Sequence, residues 1–235
     1  MAEETFERRY GVTLGTDQYN DLRNRVKTTL LSKDSAQAKK LAEELERSSY
    51  PLAFIYLELL TPALDQTTDE WYHKQRPFAD VSTAWDQLYV MLPVLRDRLR
   101  TVKAQKPPVL VACVEGNEHE LGARLLADLL RDAGYPIMFA PAGTERGVLV
   151  DEILSRNPAC AALSVSLPAQ YEELFATADA LRDKGFAGKI AAGGVALEIK
   201  RIPNYRPHGI DWAGADPLEF IAWLDREVGE KREAA

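Results

Sequence analysis

The sequence predicts an α/β protein. An N-terminal four-helix bundle spans residues 1–105, and a doubly wound parallel-sheet domain spans residues 106–235. Three observations lead there. Up to Leu99, apolar residues recur at helical spacing, with no strand-like run. At Lys106-Pro107-Pro108 the pattern changes to short apolar runs alternating with helical stretches, the order of a sheet with crossover helices. The charge also divides there: 16 basic and 16 acidic residues up to Lys106, then 13 and 20, so the whole net charge of −7 lies in the second part.

In the first part, Tyr19, Leu22, Val26 and Leu30 mark one helix, with Thr16 or Asp17 as its expected cap. Ser35 to Arg47 is rich in strong helix formers. Pro51 opens a third helix whose apolar face is Leu52, Ile55, Tyr56, Leu59 and Leu60. A fourth runs from Asp80 through Val81, Trp85, Leu88, Leu92, Leu95 and Leu99, with a kink expected at Pro93. Short connections favour an antiparallel bundle.

In the second part, Val109 to Val114 is a continuous apolar run, the type of a strand buried on both faces. A helix follows from about Glu120 to Ala133, ended by Gly134. Pro136 to Phe139 is a second strand, and Glu145 to Arg156 a helix with Val148, Ile153 and Leu154 inward. Ala161 to Leu167 is a third strand, and Pro168 opens a helix ending near Gly185. Lys189 to Ala192 is a fourth strand stopped by Gly193-Gly194, and Ile210 to Ala213 a short fifth. Pro217 to Val228 is the last helix.

Composition narrows the function. An acidic domain repels phosphate, so direct nucleic-acid binding is not expected. No apolar run approaches the roughly 18 residues of a membrane span. The segment from Met1 to Thr5 lacks the order of a signal peptide, so a cytoplasmic location is expected. The two cysteines, Cys113 and Cys160, sit in apolar segments and rule out a disulfide framework or a cysteine-built zinc site. No nucleophile elbow, zinc-protease helix or phosphate-binding P-loop is present. With three histidines in the chain, imidazole chemistry must use His73, His119 or His208.

Ligands of an open α/β sheet bind at the carboxyl ends of its strands. Three segments fall there: Glu115-Gly116-Asn117-Glu118-His119-Glu120-Leu121-Gly122, Ser164-Val165-Ser166, and Gly193-Gly194. A loop imidazole at His119 can meet a metal, and Asn117 can hydrogen-bond its other ring nitrogen and fix the tautomer. Gly122 lets a bulky ligand approach the first helical turn, and the serines offer hydroxyls to a polar group. Glu115, Glu118 and Glu120 give the loop a negative field. Taken singly, each has an ordinary reading: an incidental histidine, a turn, a helix cap, a solvated acidic loop.

Together, in this order, they resemble the cobalamin-binding domain family found in methionine synthase and corrinoid carrier proteins. The resemblance covers residues from about 107 to 228. The family pattern Asp-x-His-x-x-Gly, Ser-x-Leu, Gly-Gly reads here as Asn117-x-His119-x-x-Gly122, Ser164-x-Ser166, Gly193-Gly194. The resemblance implies that His119 is the lower axial ligand to cobalt. It implies that Ser164 contacts the displaced dimethylbenzimidazole tail, and that Gly193 and Gly194 line the slot the tail enters. Glu115, Gly116, Glu118, Gly122, Val165 and Ser166 belong to the same cofactor-contacting set. Asn117 in place of Asp lends the imidazole less basicity, and Ser166 in place of Leu makes the slot more polar.

The N-terminal part looks like the helical cap of the same family. The methyl-carrier version follows its Trp with a Glu-His pair. After Trp71 this chain has Asp80, Val81 and Ser82 at the matching positions. Trp71 to Leu99 looks more like the sensor domains of photosynthesis antirepressors and light regulators, including photocobilins, which hold biliverdin beside adenosylcobalamin. Trp71 at a polar helix end could stack on a flat macrocycle. His73 and Arg76 could meet a second tetrapyrrole, Arg76 through a propionate. Both also read as solvated side chains, and His208 as structural or exposed.

The expectation is therefore a non-enzymatic, light-responsive cobalamin sensor with adenosylcobalamin as cofactor, and with biliverdin or heme as a further tetrapyrrole. The alternative is a corrinoid methyl carrier of a methyltransferase system, or a heme-binding sensor. The expected protein partner is a transcription regulator or a methyltransferase, and the expected assembly a homodimer.

Overall fold

The computed structural model describes residues 2–200, 202 and 204–229. The chain forms two compact units, Met1–Thr101 and Val102–Ala235.

The first unit is helical throughout. It begins with α1 (Ala2–Tyr10), α2 (Thr16–Leu30) and α3 (Ser35–Arg47). A continuous helical stretch follows, made of α4 (Leu52–Phe54), a π-helical turn (Ile55–Leu60) and α5 (Thr61–Tyr72). Then comes α6 (Phe78–Leu95), which runs into a 3-10 segment (Arg96–Thr101). The α6 helix packs on α2, α3 and α5. Its stripe of Val81, Leu88, Met91, Leu92 and Leu95 is buried, as are Leu22, Val26 and Leu30 of α2. Burying each such side chain stabilises by about 1.5–3 kcal/mol.

Several local expectations change. The α2 helix takes Gly15 as its N-cap, whose N–H donates to Gln18, so neither Thr16 nor Asp17 caps it. Pro93 lies inside α6, which continues through it and ends two residues later. The unexpected α1 is held by Phe6 and Tyr10 against Phe54, at centroid distances of 5.5 and 5.6 Å. Arg98 donates to the carbonyls of Leu45, Glu46 and Tyr50 and so finishes the C-terminal end of α3.

The second unit is a three-layer α/β structure. Its strands are β1 (Val109–Cys113), β2 (Ile137–Ala140), β3 (Cys160–Ser164), β4 (Lys189–Gly193) and β5 (Trp212–Ala213). They are all parallel, in the order β2-β1-β3-β4-β5. Its helices are α7 (Leu121–Asp132), α8 (Arg146–Arg156), α9 (Tyr171–Asp183), α10 (Ala196–Ile199) and α11 (Pro217–Leu224). Alternating strand residues feed two cores. Leu110, Ala112, Leu163, Ile190 and Ala192 meet Leu149 and Ile153 of α8 and Leu174 and Leu181 of α9. Val111, Cys113, Ala162 and Ala191 meet Ala127 and Leu130 of α7 and Phe220 and Leu224 of α11. That both strand faces are buried explains the uninterrupted apolar runs.

The third strand ends at Ser164, earlier than expected, and β5 keeps only two of its four expected residues. Ile153 is buried and Leu154 partly so, as expected, but Val148 is 59% exposed, and Leu149 and Val150 are buried in its place. Among the described residues, no helix is long and apolar enough to cross a membrane.

Candidate functional site

The strand order reverses direction between β1 and β3. At such a switch point the loops leaving neighbouring strands diverge to opposite faces and open a crevice at the carboxyl edge. The His119 loop leaves β1 there and the Ser164–Ser166 segment leaves β3, so the topology brings these two predicted segments together.

The turn after β1 is closed by Asn117 N–H donating to the Val114 carbonyl at 3.0 Å. Gly116 supplies it with a φ of +75° that a side chain would resist. The Asn117 side chain is fully buried. Its Nδ2 donates to the Ser164 carbonyl at 2.9 Å, and its Oδ1 accepts from the His119 backbone N–H at 3.2 Å. This corrects the expected role of Asn117. Its amide is committed to backbone on both sides and orients the loop, not the imidazole ring. The His119 side chain is exposed, and among the described residues its ring meets no hydrogen-bond partner.

The three acidic residues of this loop do not act as one field. Glu115 accepts from the Arg146 N–H at 2.8 Å, at the start of α8. Glu120 accepts from Arg124 Nε at 2.7 Å and from the Ala142 N–H at 3.1 Å. These bonds, Arg124's first, hold the Glu120 carboxyl below the usual glutamate range. Two of the three carboxylates thus fasten the loop to the segment after β2, and among the described residues Glu118 makes no such tie. Among the described residues, no three His, Cys, Asp or Glu side chains gather into a metal-holding group. Burial pushes the nearby Cys113 thiol up to about 11, which keeps it neutral.

Ser164 is 9% exposed, and among the described residues its hydroxyl has no hydrogen-bond partner. Val165 is fully buried and donates its N–H to the Gly193 carbonyl. Ser166 lies with Oγ 3.5 Å from the His119 carbonyl. Gly193 and Gly194 differ. A Cβ on Gly193 would meet only the Gly214 carbonyl, at 3.5 Å. A Cβ on Gly194 would fall 2.1 Å from the Val165 carbonyl, at a φ of +113°. The chain's own backbone therefore requires the glycine at 194. Gly122 is exposed, with open space where its Cβ would stand.

Trp71 and His73 lie in the first unit, at the end of α5. Trp71 is 39% exposed and meets Phe78 edge-on, with centroids 5.4 Å apart. His73 Nδ1 bonds to the Asp69 carbonyl of its own helix. Arg76 is not available to a propionate, because it pairs with Glu70 and Asp80, each at 2.8 Å. His208 is structural: Nδ1 lies 2.8 Å from Asp179 Oδ2, and the ring stacks on Phe175 at 4.1 Å.

Two features of this rim escape sequence reading. Leu167 and Val195, each 49% exposed, add apolar surface beside Ser166 and Gly194. No pattern marks them. Gln170 spans the two loops, accepting from the N–H groups of Ser166 and Leu167 and donating to the Gly116 carbonyl. Its place, three residues after Leu167 and at the start of a helix, is that of a capping-box partner.

Among solved structures, the monomethylamine corrinoid protein of Methanosarcina barkeri matches with a TM-score of 0.72 at 16% identity, over 87% of this chain and 97% of that one. A cobalamin-binding protein of Desulfitobacterium hafniense DCB-2 matches at 0.48 and 18%, over 89% and 100%. The methanol:cobalamin methyltransferase complex of Methanosarcina barkeri matches at 0.48 and 12%, over 92% and 85%. At these identities the first likeness is one of fold, and the two weaker ones carry no argument. No curated protein matches the sequence. Residues 107–219, which hold every strand of the sheet and the whole His119 rim, match the family model of the B12 binding domain, and cobalamin binding is the function that this match supports.

Proposed function

We propose that the second unit binds a corrinoid at its carboxyl edge, with His119 as the lower axial ligand of cobalt, and that the chain serves as a corrinoid carrier for methyl transfer. The carrying observation is an exposed imidazole, without a hydrogen-bond partner among the described residues, on a loop pinned at the β1/β3 switch point by buried Asn117. The residues fit such a group. A corrin supplies its own equatorial donors, so one protein ligand suffices and no cluster of side chains is needed. The cobalt supplies an organometallic centre that accepts and releases an alkyl group. The protein holds the ring in place through the backbone of its loop. The Ser164 hydroxyl, nearly buried and without a hydrogen-bond partner among the described residues, can take a polar group of the cofactor's tail. Leu167 and Val195 present apolar surface to a macrocycle.

The carrier reading is preferred because the fold match at a TM-score of 0.72 is to a protein described as a corrinoid protein for a methylamine. Its partner on this reading is a methyltransferase. A light-sensing role, an adenosyl upper ligand, and biliverdin or heme as a second tetrapyrrole have no observation behind them. The residues offered for a second tetrapyrrole are engaged within their own unit, His73 through Nδ1 and Arg76 through both carboxylates.

The test is reconstitution of the purified chain with hydroxocobalamin and methylcobalamin. Spectra are recorded dark and illuminated, with and without biliverdin. Binding with a histidine-ligated spectrum, followed by methyl transfer to a thiol, supports the carrier. His119→Ala is expected to leave stability within about 0.5 kcal/mol and to weaken cobalamin binding by at least about tenfold. An unchanged spectrum in that variant removes the ligand assignment. Failure to bind any corrinoid removes the function. A change of oligomeric state on photolysis, or a bilin or Soret band, turns the reading to a sensor.

A further inference from the structure

Three ties cross from the His119 loop to the segment after β3. Asn117 Nδ2 reaches the Ser164 carbonyl, and Ser166 Oγ reaches the His119 carbonyl at 3.5 Å. The third is Gln170. Its Oε1 accepts from Ser166 N–H at 2.8 Å and from Leu167 N–H at 3.0 Å, while its Nε2 donates to the Gly116 carbonyl at 3.0 Å. A primary amide suits this place because it carries an acceptor and a donor on one rigid plane. A carboxylate would set oxygen against oxygen at Gly116, and a methyl group would remove this tie altogether. Gln170 stands at the end of the 3-10 turn Pro168–Gln170 that leads into α9, so its anchor is a rigid element and not another loop.

Resting on the corrinoid reading above, we propose that Gln170 is a positioning residue for His119. It fastens Gly116 to the end of β3, next to the point where Asn117 pins the same turn, and so sets where the imidazole stands. A ligand bond made from a loop already in place does not lose affinity to the ordering of that loop. The ring has no partner of its own among the described residues, so its position depends on these backbone ties.

The test uses the full chain with Gln170→Glu and Gln170→Ala. Gln170→Glu keeps the acceptor toward Ser166 and Leu167 and replaces the donor toward Gly116 with an oxygen. In the protein without cofactor, amide hydrogen exchange over residues 116–120 is expected to speed up by about three- to tenfold, the size of one lost hydrogen bond. Protection over 171–183 should stay unchanged. If Gln170→Ala also loses protection in α9, Gln170→Glu decides. The second measurement is electron paramagnetic resonance of bound cob(II)alamin in protein labelled with 15N-histidine. Splitting that changes with the label comes from the protein imidazole and not from the cofactor's own base. Wild type is expected to show it, and both variants to show it at reduced occupancy. Wild-type exchange over 116–120 in both variants overturns the proposal, as does label-sensitive splitting of full size in both. If wild type itself shows no label-sensitive splitting, the ligand reading has failed, and the exchange measurement alone decides whether Gln170 holds the loop.

Discussion

The second unit carries two histidine-bearing loops, and it treats them in opposite ways. The His119 loop is tied down by residues other than its imidazole. Asn117, Ser166, Gln170, Glu115 and Glu120 all hold backbone. The His208 loop is tied down by its imidazole, which Asp179 holds from the side and Phe175 from the face. Arg182 adds bonds to the Gly209 carbonyl and to Asp211. A ring that carries the structure of its own loop cannot leave to meet a ligand without loosening that loop. A ring whose loop is held by other side chains can. The difference separates a ligand-ready histidine from a structural one more sharply than exposure does.

Gly194 tests the frame that both loops share. It presses on Val165 beside the His119 clamp and starts the chain toward His208. Gly194→Ala is expected to cost about 3–5 kcal/mol, through strain at positive φ and collision with the Val165 carbonyl. Gly193→Ala should cost less than about 1 kcal/mol. Urea unfolding of the two variants checks the contrast, and equal losses would show that the backbone contact is not the cause.

Next in size is Asn117. Asn117→Ala removes two bonds of a fully buried side chain and is expected to cost about 2 kcal/mol. Asn117→Asp should be at least as costly at neutral pH, since a carboxylate would face the Ser164 carbonyl without a proton to donate. Denaturation midpoints above and below the ordinary carboxyl range give the check. A stable Asp variant at neutral pH would mean that the amide's donor is dispensable.

The smallest effect is at His208. Its replacement by Ala removes a half-exposed hydrogen bond to Asp179 and one ring stack, for a loss of about 1 kcal/mol. Cobalamin binding by the variant should match wild type. A binding defect there, with His119→Ala binding normally, would reverse the assignment of the two rings.

The sheet was legible because its signals are local. Buried apolar runs bounded by Pro and Gly mark the strands whatever surrounds them. The rim residues were legible as a set because order along the chain and strand ends place them. Their individual roles were not. Asn117 was expected on the imidazole, but which group an amide meets depends on how the turn at Gly116 folds, and on Ser164 from a distant strand. Val148 was expected inward because the period of α8 can be read with more than one phase, and the packing of Leu149, Val150 and Ile153 chose among them. The α1 helix has little apolar signal of its own. Phe6 meets Tyr19 and Phe54, and Tyr10 meets Phe54 and Glu58, partners distant in the chain that only the folded bundle supplies.

The π-helical turn at Ile55–Leu60 has an effect on phase. Such a turn holds one residue more than an α turn. Every side chain after it is therefore rotated by about 100° from where a plain helix would set it. Within the turn Ile55, Tyr56, Leu59 and Leu60 are all buried, as is Phe54 just before it. Downstream, it sets the azimuth at which α5 ends, so the direction in which Trp71 is presented is settled within that apolar turn. Deleting one residue there would turn the segment into plain α-helix, removing the extra residue and its rotation together, and so would keep the azimuth of Trp71.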